Sequence, residues 1–453
     1  MNIHFIAIGG SVMHNLAISL HRSGHVITGS DDEIFNPAQT NLQKEGILPT
    51  RLGWFPDKIT TKIDAILLGM HAQSDNPELL RAKELGLKIF SYPEFIYEKS
   101  KNKLRVVIGG SHGKTTITSM IMHVLKANNK HFDYMVGAQI EGFDLTIGLS
   151  DTAPFIIIEG DEYPDSAINK LPKFFIYQAD IGLISGIAWD HVNVFPTYES
   201  YVQQFKLFIN HIPAEGKIVY NAEDKELNAL ISTTTSKVEQ IAYYTPKSTV
   251  VNGITQLVNN NETPLKVFGK HNLQNIMGAK VICNQLGVNN DDFFSAISSF
   301  KGASKRLELV SESATASVYK DFAHSPSKLK ATIAAVKEQF PDRKLVACME
   351  LHTYSSLNKN FLDQYAGTMQ QADVKIVYYN QHAFQIKKLP FIPEEEVLKG
   401  FDDSSIKIFT DKEKLKDYLV SINYNHTNLL MMSSGNFDNL NLNELATFVI
   451  NQH

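Results

Sequence analysis

Cysteine and tryptophan are scarce in this sequence, with 2 of each among 453 residues. Cys283 and Cys348 stand far apart, and neither lies in a metal-ligand spacing. A disulfide framework and a cysteine-built zinc site are therefore excluded, and both residues read as reduced core cysteines of a cytoplasmic protein. A basic excess is missing too. Lys+Arg 43 against Asp+Glu 48 leaves a net charge of −5, which argues against a general nucleic-acid binder. No stretch approaches the roughly 18 consecutive apolar residues of a membrane span. The chain runs directly into a strand-like segment over 3–8 with no basic leader, so no signal peptide is expected. The expectation is a cytoplasmic monomer or homodimer with no nucleic-acid or membrane partner.

What is present is ordinary for an α/β protein, 43% hydrophobic and 20% charged. The length exceeds what one hydrophobic core usually serves. Strand-like runs alternate with helical periodicity throughout, which predicts an α/β protein with mainly parallel sheets. The polar run over 99–103 reads as a linker.

The most informative stretch follows that linker. Leu104, Val106, Val107 and Ile108 form a β-branched-rich run; then come Gly109, Gly110, Ser111, His112, Gly113, Lys114, Thr115 and Thr116, then an apolar-periodic run through Leu125. Strand, glycine turn and helix start place backbone N–H groups and a positive helix end around an anion. Lys114 would reach the β- and γ-phosphates of a nucleotide, and the Thr115 hydroxyl would ligate Mg²⁺. The loop is shorter than the standard phosphate-binding pattern, since Ile108 stands where its first glycine would be.

Two further strands in this segment end in acidic or polar clusters. The apolar run over 154–158 ends in Glu159-Gly160-Asp161-Glu162-Tyr163, where carboxylates could hold Mg²⁺ beside the phosphate loop. The run over 181–187 leads to Asp190-His191, and His191 is a candidate at a second metal. A third strand over 217–220 reaches Asn221, Glu223 and Asp224. The Thr/Ser/Asn-rich stretch over 230–264 reads as surface hairpins. Asn272 and Asn275 share a helix face; they could read a base edge, or Asn272 could cap the helix. In the first hundred residues, Gly9-Gly10-Ser11 follows a strand, and Ser30-Asp31 closes the next, where an open α/β sheet holds a ribose hydroxyl. The glycine pattern is a poor match to an NAD site. From 307 onward the strand–helix alternation resumes.

Taken together, GSHGKTT at 110–116, EGDEY at 159–163, DH at 190–191, NAED at 221–224, GKHNLQN at 269–275, FKGASKRLE at 300–308 and DFAHSP at 321–326 resemble the Mur ligases in order and spacing. These are ATP-dependent amide-bond-forming enzymes of peptidoglycan synthesis. The resemblance implies three domains: a Rossmann-like UDP-sugar-binding domain at 1–102, a central ATP-binding domain at 103–304, and a Rossmann-like amine-binding domain at 305–453. It implies ATP and Mg²⁺ as cofactors and UDP-N-acetylmuramate as the carboxylate substrate, contacted by Gly9, Gly10, Ser11, Ser30, Asp31 and His71. The amine would be L-alanine or the tripeptide L-Ala-γ-D-Glu-meso-diaminopimelate. Tyr163, Lys173-Phe174, 321–324 and the ending Met432 to Asp438 look more like the tripeptide enzymes, whereas Glu350 to Tyr354 departs from both patterns.

By the same resemblance, residues 110–116 bind the phosphates, with Lys114 on the transferring group. Thr115, Glu162 and His191 hold metal, Asn272 and Asn275 contact adenine, and Arg306 meets the γ-phosphate. Asp321 contacts the ribose, and His324 lies near the reacting groups. Lys206 reads as a solvated helix lysine rather than a carbamylated one. Two rival readings are a non-catalytic UDP-sugar or ATP binder and a folylpolyglutamate synthetase. The machinery at Lys114, Thr115, Glu162 and His191 speaks against the first, and the Rossmann-like first hundred residues against the second.

Overall fold

The computed structural model describes the chain except residues 71, 164–170, 190–193, 252, 259–261, 305 and 453. Three α/β domains follow one another. In the first, β1 (Asn2–Ile6), α1 (Ser11–Arg22), β2 (Val26–Ser30), α2 (Ala38–Lys44), β3 (Ala65–Leu68), α3 (Pro77–Glu84), β4 (Ile89–Ser91) and α4 (Tyr92–Ser100) build a parallel sheet of order β2-β1-β3-β4. α4 is fixed by a capping box, with Ser91 and Glu94 serving each other's backbone N–H. It runs to Ser100, so the linker expected over 99–103 shrinks to a turn.

The central domain comprises β5 (Leu104–Gly109), α5 (Lys114–Ala127), β6 (Asp133–Met135), β7 (Ile147–Gly148), β8 (Phe155–Glu159), α6 (Lys173–Ile176), β9 (Ile181–Ile184), α7 (Tyr198–His211), β10 (Lys217–Asn221), α8 (Lys225–Ser232) and β11 (Glu239–Tyr243). Its seven-stranded sheet has the order β11-β10-β9-β5-β8-β6-β7, parallel except at β6–β7. Alternation along β8 divides it between two cores. Ile156 and Ile158 pack with α7, whereas Ile157 joins Ile117, Met120 and Ile121 of α5. The hairpins expected over 230–264 are found only in its second half, where β12 (Ser248–Val251), β13 (Ile254–Leu257) and β14 (Thr263–Pro264) pair antiparallel. β11 is instead a parallel edge strand on β10, because Ile241 and Tyr243 continue the α5-side core. α9 (Lys270–Gln285) and α10 (Asn290–Ile297) then cover that face.

In the last domain, β15 (Glu308–Glu312), β16 (Ser317–Asp321), α11 (Pro326–Gln339), β17 (Lys344–Glu350), β18 (Val374–Tyr378), β19 (Lys407–Phe409) and β20 (Thr427–Met432) form a sheet of order β15-β16-β20-β17-β18-β19. Only β15–β16 is antiparallel. The segment at 359–365 is a 3₁₀ helix. No helix among the described residues is long and apolar enough to cross a membrane.

The first domain hangs on one buried polar network. Asn76 caps α3 by accepting from Glu78 N and Leu79 N, with Pro77 in the first turn. That cap points the wholly buried Glu78 at His4 Nε2, 3.2 Å away. Glu78 also accepts the Phe55 N–H at 2.7 Å and a hydrogen bond from Ser30. Burial works against its charge, but His4, Ser30 and the Phe55 N–H outweigh it and hold the carboxyl below the usual range. Removing one partner of such a network leaves buried polar groups unpaired. Glu78→Ala is therefore expected to cost about 3 kcal/mol, seen as an earlier urea transition of the fluorescence of Trp54, which packs on this domain's second core cluster.

Candidate active site

The phosphate loop takes its shape from two glycines. Gly110 (φ 123°) and Gly113 (φ 76°) lie in the left-handed region. A Cβ at Gly110 would stand 2.3 Å from Ser185 Oγ, and one at Gly113 2.3 Å from Asn275 Oδ1. Glycine is thus required by conformation and by space. The turn delivers Lys114 and Thr115 into the first turn of α5, above the carboxyl end of β8.

Each carboxylate at that strand end has its own partner. The Lys114 ammonium donates to Glu162 Oε2 at 2.7 Å, and the Tyr201 hydroxyl to Glu162 Oε1 at 3.1 Å. Thr115 Oγ1 donates to Glu159 Oε1 at 2.7 Å, while the Gly137 N–H serves Oε2. Lys173 donates to Asp161 Oδ2 at 2.9 Å. Burial opposes charge on Lys114, but Glu162 and Asp161 outweigh it and hold the ammonium above its usual range. Asp161 lies below the carboxylate range for the converse reason: burial is outweighed first by Lys173 and then by Lys114.

A cavity of about 480 Å³ opens beside these groups. The loop from Ser111 to Thr116, Glu159, Asn272 and Asn275 line it on the central side. Arg306, Asp321, His324 and Ser327 close it from the last domain. Gly110 alone among the phosphate-loop candidates supports this wall from behind. Asn272 is not a helix cap: the N-cap is Gly269, and Asn272 Nδ2 donates to the Phe268 carbonyl at 2.9 Å. Arg306 lies over the Phe322 ring, 4.7 Å from its centre. Asp321 is anchored by the N–H groups of Leu307 and Ala323. Glu223, at the far wall, is held near 2: burial is offset by Lys270 and the Thr245 N–H.

A second cavity of about 280 Å³ lies at the carboxyl ends of β16, β17 and β20. Phe322 and His324 line both cavities and form their shared wall. His324 is oriented through Nδ1 by the Phe322 carbonyl, 2.8 Å away. Tyr163 from the central domain, Thr353, Tyr354 and Tyr365 complete the second cavity. The hydroxyls of Ser325 and Ser434, on the same lining, make no hydrogen bond with any described residue.

The structure thus brings Lys114, Thr115, Glu162, Asn275, Arg306, Asp321 and His324 together. It sets Thr115 against Glu159 rather than Glu162, which faces Lys114. Glu159, one of the strand-end carboxylates named from the sequence, is thus the one beside the Thr115 hydroxyl. The signal was the alternation along β8, which puts Glu159 on the α5 face with Ile157. An all-oxygen pair of hydroxyl and carboxylate suits Mg²⁺. No group of three or more metal-ligating side chains occurs among the described residues. His191 and His71 lie outside the described residues. In the first domain, Gly10 starts α1 and the Gly9 N–H donates to Asp31 Oδ2 at 2.7 Å, with Ser11 exposed beside them. Burial, only partly offset by that N–H, pushes the Asp31 carboxyl up. Ser30 is wholly buried and bonded to Glu78 and Lys58, so it supports Asp31 from beneath instead of facing a ligand. Lys206 is exposed on α7.

Residues 2–103 match the description "Mur ligase family, catalytic domain", 108–283 the "Mur ligase middle domain" and 305–435 the "Mur ligase, glutamate ligase domain". A UDP-N-acetylmuramate–L-alanine ligase of Caldicellulosiruptor bescii is 32% identical over 428 residues, 90% of either chain. One from Sulfurihydrogenibium is 30% identical, covering 83% of this chain and 82% of the relative. Among solved structures, a murein peptide ligase from Psychrobacter arcticus superposes with a TM-score of 0.63 at 21% identity, covering 100% and 99% of the two chains. A UDP-N-acetylmuramate–alanine ligase from Thermotoga maritima gives 0.69 at 20%, covering 99% and 98%.

Replacing Lys114 by alanine removes one charge-assisted hydrogen bond to a bound phosphate, about 1.5–3 kcal/mol. Lys114→Ala is expected to weaken binding of a nucleoside triphosphate roughly tenfold to a hundredfold, as read by calorimetry. Its circular dichroism should match the parent's.

Proposed function

The chain belongs to the Mur ligase family of ATP-dependent, ADP-forming amide ligases, and from that premise we propose that it joins the lactyl carboxylate of UDP-N-acetylmuramate to the amine of L-Ala-γ-D-Glu-meso-diaminopimelate, in peptidoglycan recycling. The observation that carries this reading is the second cavity. Its 280 Å³ abut the nucleotide cavity across His324 and Phe322. Alanine, with a single methyl beyond its ammonium and carboxylate, would leave most of that space to water. A peptide presents alternating donors and acceptors along its length, which suits the Thr353 and Ser355 hydroxyls and the ring of Tyr354 on that lining. A second reading, ligation of L-alanine itself, is favoured by the names of the sequence relatives at 30% identity and above.

The chemistry starts from a poor electrophile, because attack of an amine on a carboxylate would have to expel oxide. A lactyl carboxylate oxygen therefore attacks the γ-phosphorus, the bond from that phosphorus to the β–γ bridging oxygen breaks, and ADP leaves. The amine then adds to the acyl carbon, and phosphate departs with the C–O bonding pair while the nitrogen loses a proton. Lys114 would leave Glu162 for the transferring phosphoryl group, and Glu162 would keep the Tyr201 hydroxyl as a partner. Thr115 and Glu159 are the residues that would hold Mg²⁺, which when bound supplies a Lewis-acid contact on phosphate oxygens. His324, facing both cavities, is placed to accept the proton of the entering amine. Arg306 would meet charge on the γ-phosphate, and Asp321, held by backbone N–H groups, the ribose. The last domain closes over the nucleotide through α11. His112 Nε2 lies 2.7 Å from Ser327 Oγ, and Gln339 bonds Thr255 and the Gly253 carbonyl.

Phosphate release with ATP, Mg²⁺ and UDP-N-acetylmuramate, with the tripeptide and L-alanine offered separately, tests the reading. The tripeptide is expected to give the larger kcat/KM, by at least about tenfold; a preference for L-alanine would transfer the assignment to the second reading. Glu159→Gln is expected to raise the Mg²⁺ concentration needed for half-maximal turnover severalfold. An unchanged Mg²⁺ titration would return the metal role to Glu162.

A further inference from the structure

Lys173 is buried, lines neither cavity and carries a charge that the mechanism above does not use. Its surroundings join three parts of the molecule. The Lys173 ammonium donates to Asp161 Oδ2 at 2.9 Å, on the strand-end segment that carries Glu159 and Glu162. Lys173 N–H donates to the Tyr163 carbonyl at 2.9 Å and Phe174 N–H to the Asp161 carbonyl at 3.1 Å, so the same dipeptide holds a wall residue of the second cavity. On its other side the ammonium meets Tyr92, the first residue of α4 in the first domain. The nitrogen stands over the Tyr92 ring, 5.8 Å from its centre. The contact is a cation facing a ring, so the ring itself carries it. Tyr92 is itself buried and rigidly held, since Ser91 and Glu94 cap its helix.

We propose that Lys173 is a positioning residue that fixes the distance between the UDP-sugar domain and the phosphate loop, through Tyr92 on one side and Asp161 on the other. Phosphoryl transfer requires the attacking carboxylate, carried by a substrate on the first domain, to meet the γ-phosphate on the central domain in line. An error of about 1 Å there costs on the order of a hundredfold in rate. Lys173 also keeps Asp161 engaged. Without it, Asp161 would compete with Glu162 for Lys114 and draw the ammonium off line. A merely structural role makes the opposite forecast, because a buried ion pair contributes little that a well-packed apolar chain could not.

The inference rests on the reading of the first domain as the holder of UDP-N-acetylmuramate, and holds for either amine. Its test is steady-state kinetics of Lys173→Met, Lys173→Arg and Tyr92→Leu with whichever amine the parent protein turns over, together with calorimetric binding of UDP-N-acetylmuramate to the parent. Lys173→Met is expected to lower kcat at least tenfold while the KM for ATP and for the UDP-sugar each stay within about threefold. Lys173→Arg should recover part of the loss, and Tyr92→Leu should lower kcat selectively but less. Unchanged kcat in Lys173→Met, or a loss that arginine does not partly restore, overturns the proposal. Should Lys173→Met fail to fold, Tyr92→Leu decides alone, since it removes the ring that the ammonium faces: unchanged kcat there overturns it. A parent protein that binds no UDP-N-acetylmuramate would overturn the function reading itself. Binding with kcat indifferent to these substitutions would overturn only the role of Lys173.

Discussion

The pairing of Lys114 with Glu162 is the interaction on which the rest of the site depends. A half-buried ammonium beside a cluster of carboxylates needs a counter-charge, or the site would carry an uncompensated charge. Glu162 supplies the counter-charge at 2.7 Å and is itself held by Tyr201. The bond is exchangeable, because the carboxylate does not lose its last partner when the lysine moves to a phosphate. This requires that the neighbouring acids not compete. Glu159 is engaged by Thr115 and the Gly137 N–H, and Asp161 by Lys173. Three acids within four residues can coexist because each is aimed at a different cation or hydroxyl.

That arrangement also explains the division of labour among the sheets. The central sheet delivers the phosphate loop, its carboxylates and the two asparagines from one rigid scaffold. The last sheet contributes Arg306, Asp321 and His324 from the far side, and its strand ends provide the second cavity. Phe322 and His324 form a wall shared by both cavities, so on the proposed reading a group activated in one would be presented to the other without crossing bulk water.

Much of this was legible in the sequence. The phosphate loop could be read because strand, glycine turn and helix start are local signals, and the β8 acids because a wholly apolar strand ending in carboxylates is a local contrast. Which carboxylate stands beside Thr115 was not legible: Glu159 takes that place, and the choice depends on which face of the sheet each residue takes once the chain leaves the strand. Asn272 illustrates a second limit, since its amide bonds a carbonyl of the segment before its helix while the cap falls to Gly269. Least visible was the second cavity, assembled from Tyr163, 322–325, Thr353 to Ser355, 361–365 and Ser434, segments that share no sequence pattern. β11 was read as a hairpin strand because its Thr/Ser-rich flanks outweighed two core residues in a short window.

The departure of Glu350 to Tyr354 from the family patterns becomes intelligible in this frame. Glu350 is buried at the end of β17, accepting from the Ser433 hydroxyl and from Phe437 N–H at 2.9 Å. It therefore braces the 433–437 loop rather than facing the cavity, whereas Thr353 and Tyr354 turn into it. No lysine or arginine is among the described residues that line that cavity. On the proposed reading, selection of the amine would fall to shape and aromatic surface, interactions that reward a ligand able to fill the space. Such a site discriminates through contacts made along the length of a ligand, and a small amino acid offers few of them.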